Sequence, residues 1–251
     1  MLRTILVSLF VSALAGQAAP LTPVAPPDPA ACPPSTVPLA AGSSFTDNLT
    51  IRSGVDFLRG LDPRAASGLV HAVVEIPAGS DEKWEVKRDG VMRWDIKDGK
   101  PRHVKYLGYP CNYGMVPRTL LGKELGGDGD PLDILVLGPS LPRGTVVPVR
   151  VLGLIQLVDA GDKDDKLIAV PADSPLAKAK DLAELDALFP GITSILETWF
   201  ENYKGKDALQ CSGFGGKADA DALLAAGIDS FDASEKGEKK EPAKAAVSDR
   251  R

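Results

Sequence analysis

The chain has 251 residues, with 29 lysines and arginines against 34 aspartates and glutamates, a formal charge of −5. That length supports one domain with a sizeable core, and the acidic balance excludes a general nucleic-acid-binding surface, which demands clustered positive charge. Only His71 and His103 are present, and Cys32, Cys111 and Cys211 stand far apart, which excludes a histidine-rich metal centre and a CxxC redox or zinc motif.

From the N-terminus, Arg3 is followed by an apolar run over residues 4–15 and the small-residue site Gly16-Gln17-Ala18. This pattern predicts a secretory signal peptide over residues 1–18, and the run is shorter than the ~20 residues a spanning helix needs. The mature chain is therefore expected in the periplasm or outside the cell, with no membrane association once the signal is removed. An oxidising compartment makes one disulfide and one free thiol the expectation, involving Cys111 or Cys211, with the pairing left open. Residues 19–44, rich in proline and alanine, read as a flexible leader. The folded domain is expected over residues 45–233, and the Lys/Glu/Ala-rich residues 234–251 as a disordered tail.

Within the domain, strand signals come first. Residues 69–76 are rich in β-branched side chains and stop at Pro77. Residues 84–87 and 91–96 flank Arg88-Asp89-Gly90 and read as a hairpin. Residues 133–137, 145–158 and 167–170 are further strands. Short strands separated by turn signals suggest a small barrel. Helical spacing appears late. Ile192, Ile195, Leu196, Trp199, Phe200 and Tyr203 recur at three and four residues, predicting a helix over 192–204 with that face buried. A second helix is predicted over 220–231 and a third over 176–188.

The most informative stretch is Asp128-Gly129-Asp130-Pro131-Leu132-Asp133, three carboxylates within six residues just before an apolar strand. Like charges this close repel unless a cation joins them, and hard cations such as Mg²⁺ take oxygen ligands. An EF-hand loop fails on position, since counting from Asp128 places Asp133 where glycine belongs and Pro139 where the bidentate glutamate belongs. A second acidic group runs from Asp159 to Asp165. A third set, Glu75, Lys83 and Glu85, lies on the first strands. Tyr109 and Tyr113 share a Pro/Gly-rich loop, and Tyr203-Lys204 closes the amphipathic helix.

Taken in order, these blocks resemble the soluble family I inorganic pyrophosphatases. The matching stretches are Val74 to Ser80 with Lys83-Trp84-Glu85, Tyr109 to Gly114, Asp128 to Asp133, Asp159 to Asp164 with Lys166 to Pro171, and Phe200 to Lys204. The resemblance implies an α+β, mainly β fold, a small closed OB-like β-barrel flanked by helices. It implies hydrolysis of inorganic pyrophosphate to two phosphates with several Mg²⁺ ions, Mn²⁺ or Zn²⁺ being substitutes. By position, Asp128, Asp133 and Asp164 look like ligands of the tightest metal, with Asp133 bridging two. Asp159 and Asp164 would hold metal arriving with the substrate, and Glu75 another. Asp130 looks like the group that takes the proton from the attacking water. Lys83, Arg102, Tyr113, Lys166, Tyr203 and Lys204 would grip phosphate oxygens, with Glu85 and Tyr109 behind them. Lys105 is a rival to Arg102, because the aspartate that usually precedes the family's arginine is missing here. Asp164 is preferred to Asp165 on its spacing from Asp159 and Lys166. The family also implies a homo-oligomer, a homohexamer in its bacterial members. The alternative is a non-catalytic exported protein of the same fold that binds phosphate or metal. It would lack a key aspartate, and none is missing.

Overall fold

The computed structural model describes residues 25–238; the signal peptide expected over residues 1–18 lies outside them. Along the chain run β1 (Ser43–Asp47), β2 (Thr50–Ser53), β3 (Val70–Ile76), β4 (Trp84–Val86), β5 (Met92–Trp94), β6 (Ile96–Lys97), β7 (Lys100–Pro101), β8 (Asn112–Met115), β9 (Asp133–Val136), β10 (Val146–Asp159), β11 (Asp162–Lys163), β12 (Lys166–Pro171), α1 (Leu182–Leu188), α2 (Ile192–Asn202), β13 (Leu209–Gly215) and α3 (Lys217–Glu238). The described residues are thus mainly β with three helices, as the sequence led one to expect.

The large sheet runs in the order β11-β10-β12-β9-β8-β3, with β3 also pairing β10 and with β13 added to β10. Its strands are apolar on both faces because both faces are covered. Alternation along each strand divides the side chains. Leu135, Leu137, Ile168 and Val170 join one cluster with Trp199 and Phe200 of α2. Ile134, Val136, Leu167 and Ala169 join another with Leu224 of α3. A small sheet, β1-β2-β5-β4, covers a third cluster around Trp84, Met92 and Trp94. The predicted hairpin is β4 and β5, with Trp84 opposite Trp94 and Gly90 at φ +74° in the turn. β3 and β8 approach so closely that a Cβ on Gly114 would stand 1.9 Å from the Val73 carbonyl oxygen. Only glycine fits there, and its neighbour Tyr113 is thereby held beside the end of β3.

The helices differ from expectation in three ways. The single helix predicted over 176–188 is a short 3-10 turn, Pro175–Lys178, followed by α1. The break is set by Asp181, whose side chain accepts from the Glu184 amide at 2.8 Å and starts a new helix. In α2 the regular helix ends at Asn202 with Tyr203 at its cap, and Ile195, expected on the buried face, is 58% exposed. The helix predicted over 220–231 runs on to Glu238, because Asp232 pairs with Arg118 and Glu235 with Arg59. Residues 234–238 are thus helical rather than part of a disordered tail.

Two further expectations are corrected. Residues 19–24 of the stretch read as a flexible leader lie outside the described residues, and part of the rest is held by specific contacts, with Cys32 buried in the third cluster and Leu39 bridged to Arg143. No disulfide joins the cysteines; Cys32 and Cys111 are buried in separate clusters and Cys211 is half-buried, each with a free thiol.

Candidate active site

The acidic turn before β9 is a built structure. Gly129 takes φ +92°, a left-handed conformation that favours glycine. The Gly129 amide donates to the Leu121 carbonyl at 2.9 Å, and the Leu121 amide donates to Asp130 at 2.8 Å. The Asp128 side chain accepts from the Asp130 amide at 3.0 Å. Leu132 then enters the core, and its amide donates to the Thr119 hydroxyl. The three carboxylates therefore project from one rigid turn into one cleft.

That cleft, of about 290 Å³, is lined by Glu75, Lys83, Glu85, Arg102, Tyr113, Asp128, Asp130, Asp133, Asp159, Asp164, Lys166, Tyr203 and Lys204, whereas Tyr109, also singled out from the sequence, does not line it. They come from β3, β4, β8, β9, β10 and β12 and from the segments just before β4, after β7, before β9, before β12 and after α2, separated by up to 129 positions in the chain. Lys166 lies at the floor, donating to Asp133 Oδ2 at 2.6 Å and to Asp164 Oδ1 at 2.7 Å. The Tyr113 hydroxyl donates to the same Asp133 oxygen at 2.5 Å. Lys83 Nζ lies 3.1 Å from Glu85 and 4.7 Å from the centre of the Tyr113 ring. Lys204 pairs with Asp159 at the rim. Tyr203 stacks on Trp199 at 4.5 Å, and Tyr109 packs against the same indole.

Geometry distinguishes the members of the two open pairs only in part. Arg102 faces the cleft and pairs with Asp95 at 2.9 Å, whereas Lys105 is exposed outside it. Asp95, seven residues earlier in the chain, is brought alongside when Arg102 donates its amide to the Asp95 carbonyl. Asp164 and Asp165 both line the cleft; Asp164 turns to Lys166, while Asp165 is buried and accepts from the Leu157 amide at 3.1 Å. Lys87 and Arg88 also line the cleft. They escaped sequence reasoning, because a charged pair at a hairpin turn carries no signal of its own.

Electrostatics tie these groups together. Burial lowers the pKa of the Lys166 ammonium, but Asp133 and Asp164 outweigh it and hold the group above the usual lysine range. Burial likewise opposes the charge on Lys83, and the facing groups, Glu85 and Asp133 among them, overcome it. Glu85 drops to about 2, because Lys83 and Lys87 outweigh its burial. Asp130 is pushed up by burial and then by Asp128, Glu85 and Asp133. Burial also raises Glu75 well above the usual range. Among the described residues no three acidic, histidine or cysteine side chains form a closed metal cage; Lys166 stands between two of the carboxylates. The donor set still fits a hard divalent cation. It is all oxygen, its carboxylates repel one another, and an ion such as Mg²⁺ keeps several waters and needs few protein ligands.

Comparison with known proteins decides the family. The model of the inorganic pyrophosphatase family matches residues 72–232, well over half of the chain. The chain belongs to the inorganic pyrophosphatase family. It is 35% identical over 159 residues to the inorganic pyrophosphatase of Mus musculus, a stretch covering 57% of this chain and 55% of that protein. The chain spans about half the length of the curated relatives it matches. The type I inorganic pyrophosphatase of Toxoplasma gondii superposes with a TM-score of 0.68 at 27% identity, over 79% of this chain and 97% of that one. The enzyme of Helicobacter pylori superposes with a TM-score of 0.58 at 30% identity, over 68% of this chain and 98% of that one. The matched stretch of this pyrophosphatase-family chain contains every residue of the cleft named above.

Proposed function

We propose that the chain hydrolyses inorganic pyrophosphate to two phosphates. The observation that carries this reading is the cleft floor, where one buried ammonium, Lys166, bridges Asp133 and Asp164. Such a floor sets cations and carboxylates side by side, as a site must that takes both a polyanion and the metal it travels with.

In this reading Asp128, Asp133, Asp159, Asp164 and Glu75 hold Mg²⁺, with Mn²⁺ or Zn²⁺ as substitutes. When bound, such ions neutralise phosphate oxygens and make water more acidic. Asp130, which lines the cleft without a cationic hydrogen-bond partner, would receive the proton of the attacking water. Lys83, Arg102 and Lys166 take phosphate oxygens from one side, Tyr203 and Lys204 from the helix end, and Tyr113 orients Asp133 and the substrate through its hydroxyl. The Trp199 and Tyr109 rings pack against Tyr203 and hold it in place.

The proposal extends to the architecture and setting. The pairing of β3 with both β8 and β10 supports a closed OB-like barrel. Export follows from residues 1–18, and homo-oligomerisation from the family. N-terminal sequencing and sedimentation of the native protein check these two.

The deciding assay is phosphate release from pyrophosphate with Mg²⁺ and then with EDTA. Mg²⁺-dependent release is expected. Tight pyrophosphate binding without release would favour the non-catalytic binder.

A further inference from the structure

Arg143 is fully buried although it lies outside the cleft, and its partners come from three separate parts of the chain. Its Nη1 lies 2.9 Å from Glu82 and 2.8 Å from the Ser35 hydroxyl. Its Nε donates to the Glu75 carbonyl at 2.8 Å, and its guanidinium lies 4.8 Å from the centre of the Trp84 ring. Glu82 is itself buried and accepts from Ser35, from the Thr36 amide and from the Trp84 indole. The Ser35 hydroxyl thus sits between the two charges, donating to one and accepting from the other. The same N-terminal strand of chain is pinned further on. The Arg143 amide donates to Pro38 at 2.9 Å, and the Ala40 amide donates to Arg143 at 2.8 Å.

Two residues held by this network are neighbours of the chemistry. Glu75 lines the cleft with its carboxylate and meets Arg143 with its carbonyl. Glu82 precedes Lys83 in the chain, so fixing Glu82 fixes the start of β4 and the base of the Lys83 side chain. A buried ion pair is expensive to leave half-satisfied, which makes the network sensitive to losing one hydroxyl. Burial draws the guanidinium down to about 10, so it remains charged at neutral pH.

We propose that residues 35–40 form an N-terminal clip that sets the Glu75–Lys83 wall of the cleft for substrate, with Ser35, Glu82 and Arg143 as positioning residues. Residues 35–40 lie before the stretch matched by the family model, residues 72–232, whereas Glu82 and Arg143 lie within it. The inference rests on the pyrophosphate reading of the cleft.

The test is steady-state kinetics on Ser35→Ala, Ser35→Thr and Arg143→Lys, with folding checked by circular dichroism. Loss of one hydrogen bond to buried charge should raise KM for pyrophosphate in Ser35→Ala roughly three- to tenfold through a displaced Lys83, with kcat little changed. Ser35→Thr keeps the hydroxyl and should restore KM. Arg143→Lys keeps the charge facing Glu82 but loses the Nε donor to Glu75, and should raise KM as well. It carries the test if Ser35→Ala does not fold. A lower melting temperature with unchanged KM in the folded variants overturns the clip, as does a fall in kcat alone. Wild-type protein that releases no phosphate overturns the functional reading beneath it, whereas active wild type with unaltered variants overturns only the clip.

Discussion

Lys166 Nζ lies 2.6 Å from Asp133 Oδ2, and the distance is set by strand register. Asp133 opens β9 and Lys166 opens β12; the two strands run parallel, with Leu167 opposite Ile134. The pair is therefore fixed by backbone pairing, and Asp164, two residues before Lys166, is drawn to the same ammonium.

Removing that ammonium should expose the repulsion it screens. Lys166→Met leaves Asp133 and Asp164 facing one another, with Lys166 only 2% exposed in the native fold. In EDTA the variant should lose about 3 kcal/mol of stability. Mg²⁺ should recover part of it, because a cation relieves the same repulsion. Urea denaturation with and without Mg²⁺ checks this, and an equal deficit under both conditions would contradict it.

Asp130 and Asp133 should divide their labour. Asp130 has no cationic hydrogen-bond partner in the cleft, whereas Asp133 accepts from both Lys166 and Tyr113. Asp130→Asn should keep most Mg²⁺ affinity and lose ~10²–10⁴ in turnover. Asp133→Asn should weaken Mg²⁺ binding as well. Calorimetric titration of Mg²⁺ alongside turnover separates them, and equal loss of affinity in both variants would refute the assignment.

Glu85 carries a pH signature. Its folded pKa is depressed to about 2 by Lys83 and Lys87 despite burial. A depressed carboxylate stabilises the fold above its unfolded pKa, about 4.3, and that contribution is lost as pH falls through the folded value. Glu85→Gln should therefore cost about 3 kcal/mol at pH 7, and wild type and variant should converge between about pH 4 and pH 2. Denaturation in EDTA across that range tests it; a constant difference would rule it out.

The thiols should be free and unequal. Burial pushes the Cys111 thiol up to about 12, and Cys211, only half-buried, is raised less. Denatured, non-reduced protein should give three thiols, and native protein at pH 8 should label first at Cys211. Reducing agent should leave the melting temperature unchanged. One thiol in the denatured count would restore the disulfide expectation.

Several strands and the acidic turn were legible in the sequence because their signals are local, whereas β1, β2 and β13 gave none and Tyr113, read in a loop, lies in β8. β-branched runs ending at Pro77 and Pro171 mark β3 and β12, and the Asp128–Asp133 turn announces itself by crowding like charges that need a reason. Helix ends were less legible, since Asp181 starts α1 by a capping bond and α3 is extended by Arg59 and Arg118, which lie more than a hundred residues away. Tertiary structure alone decided that Arg102 rather than Lys105 faces the cleft, that Asp95 pairs with Arg102, and that Lys87 and Arg88 join the lining. It also decided that the proline-rich stretch is docked, because the buried charge of Arg143 has no meaning until Ser35 and Glu82 surround it. Residue type and spacing specify which groups a site contains. Which of several similar charges points inward depends on register and burial, and these are settled only when distant strands pair.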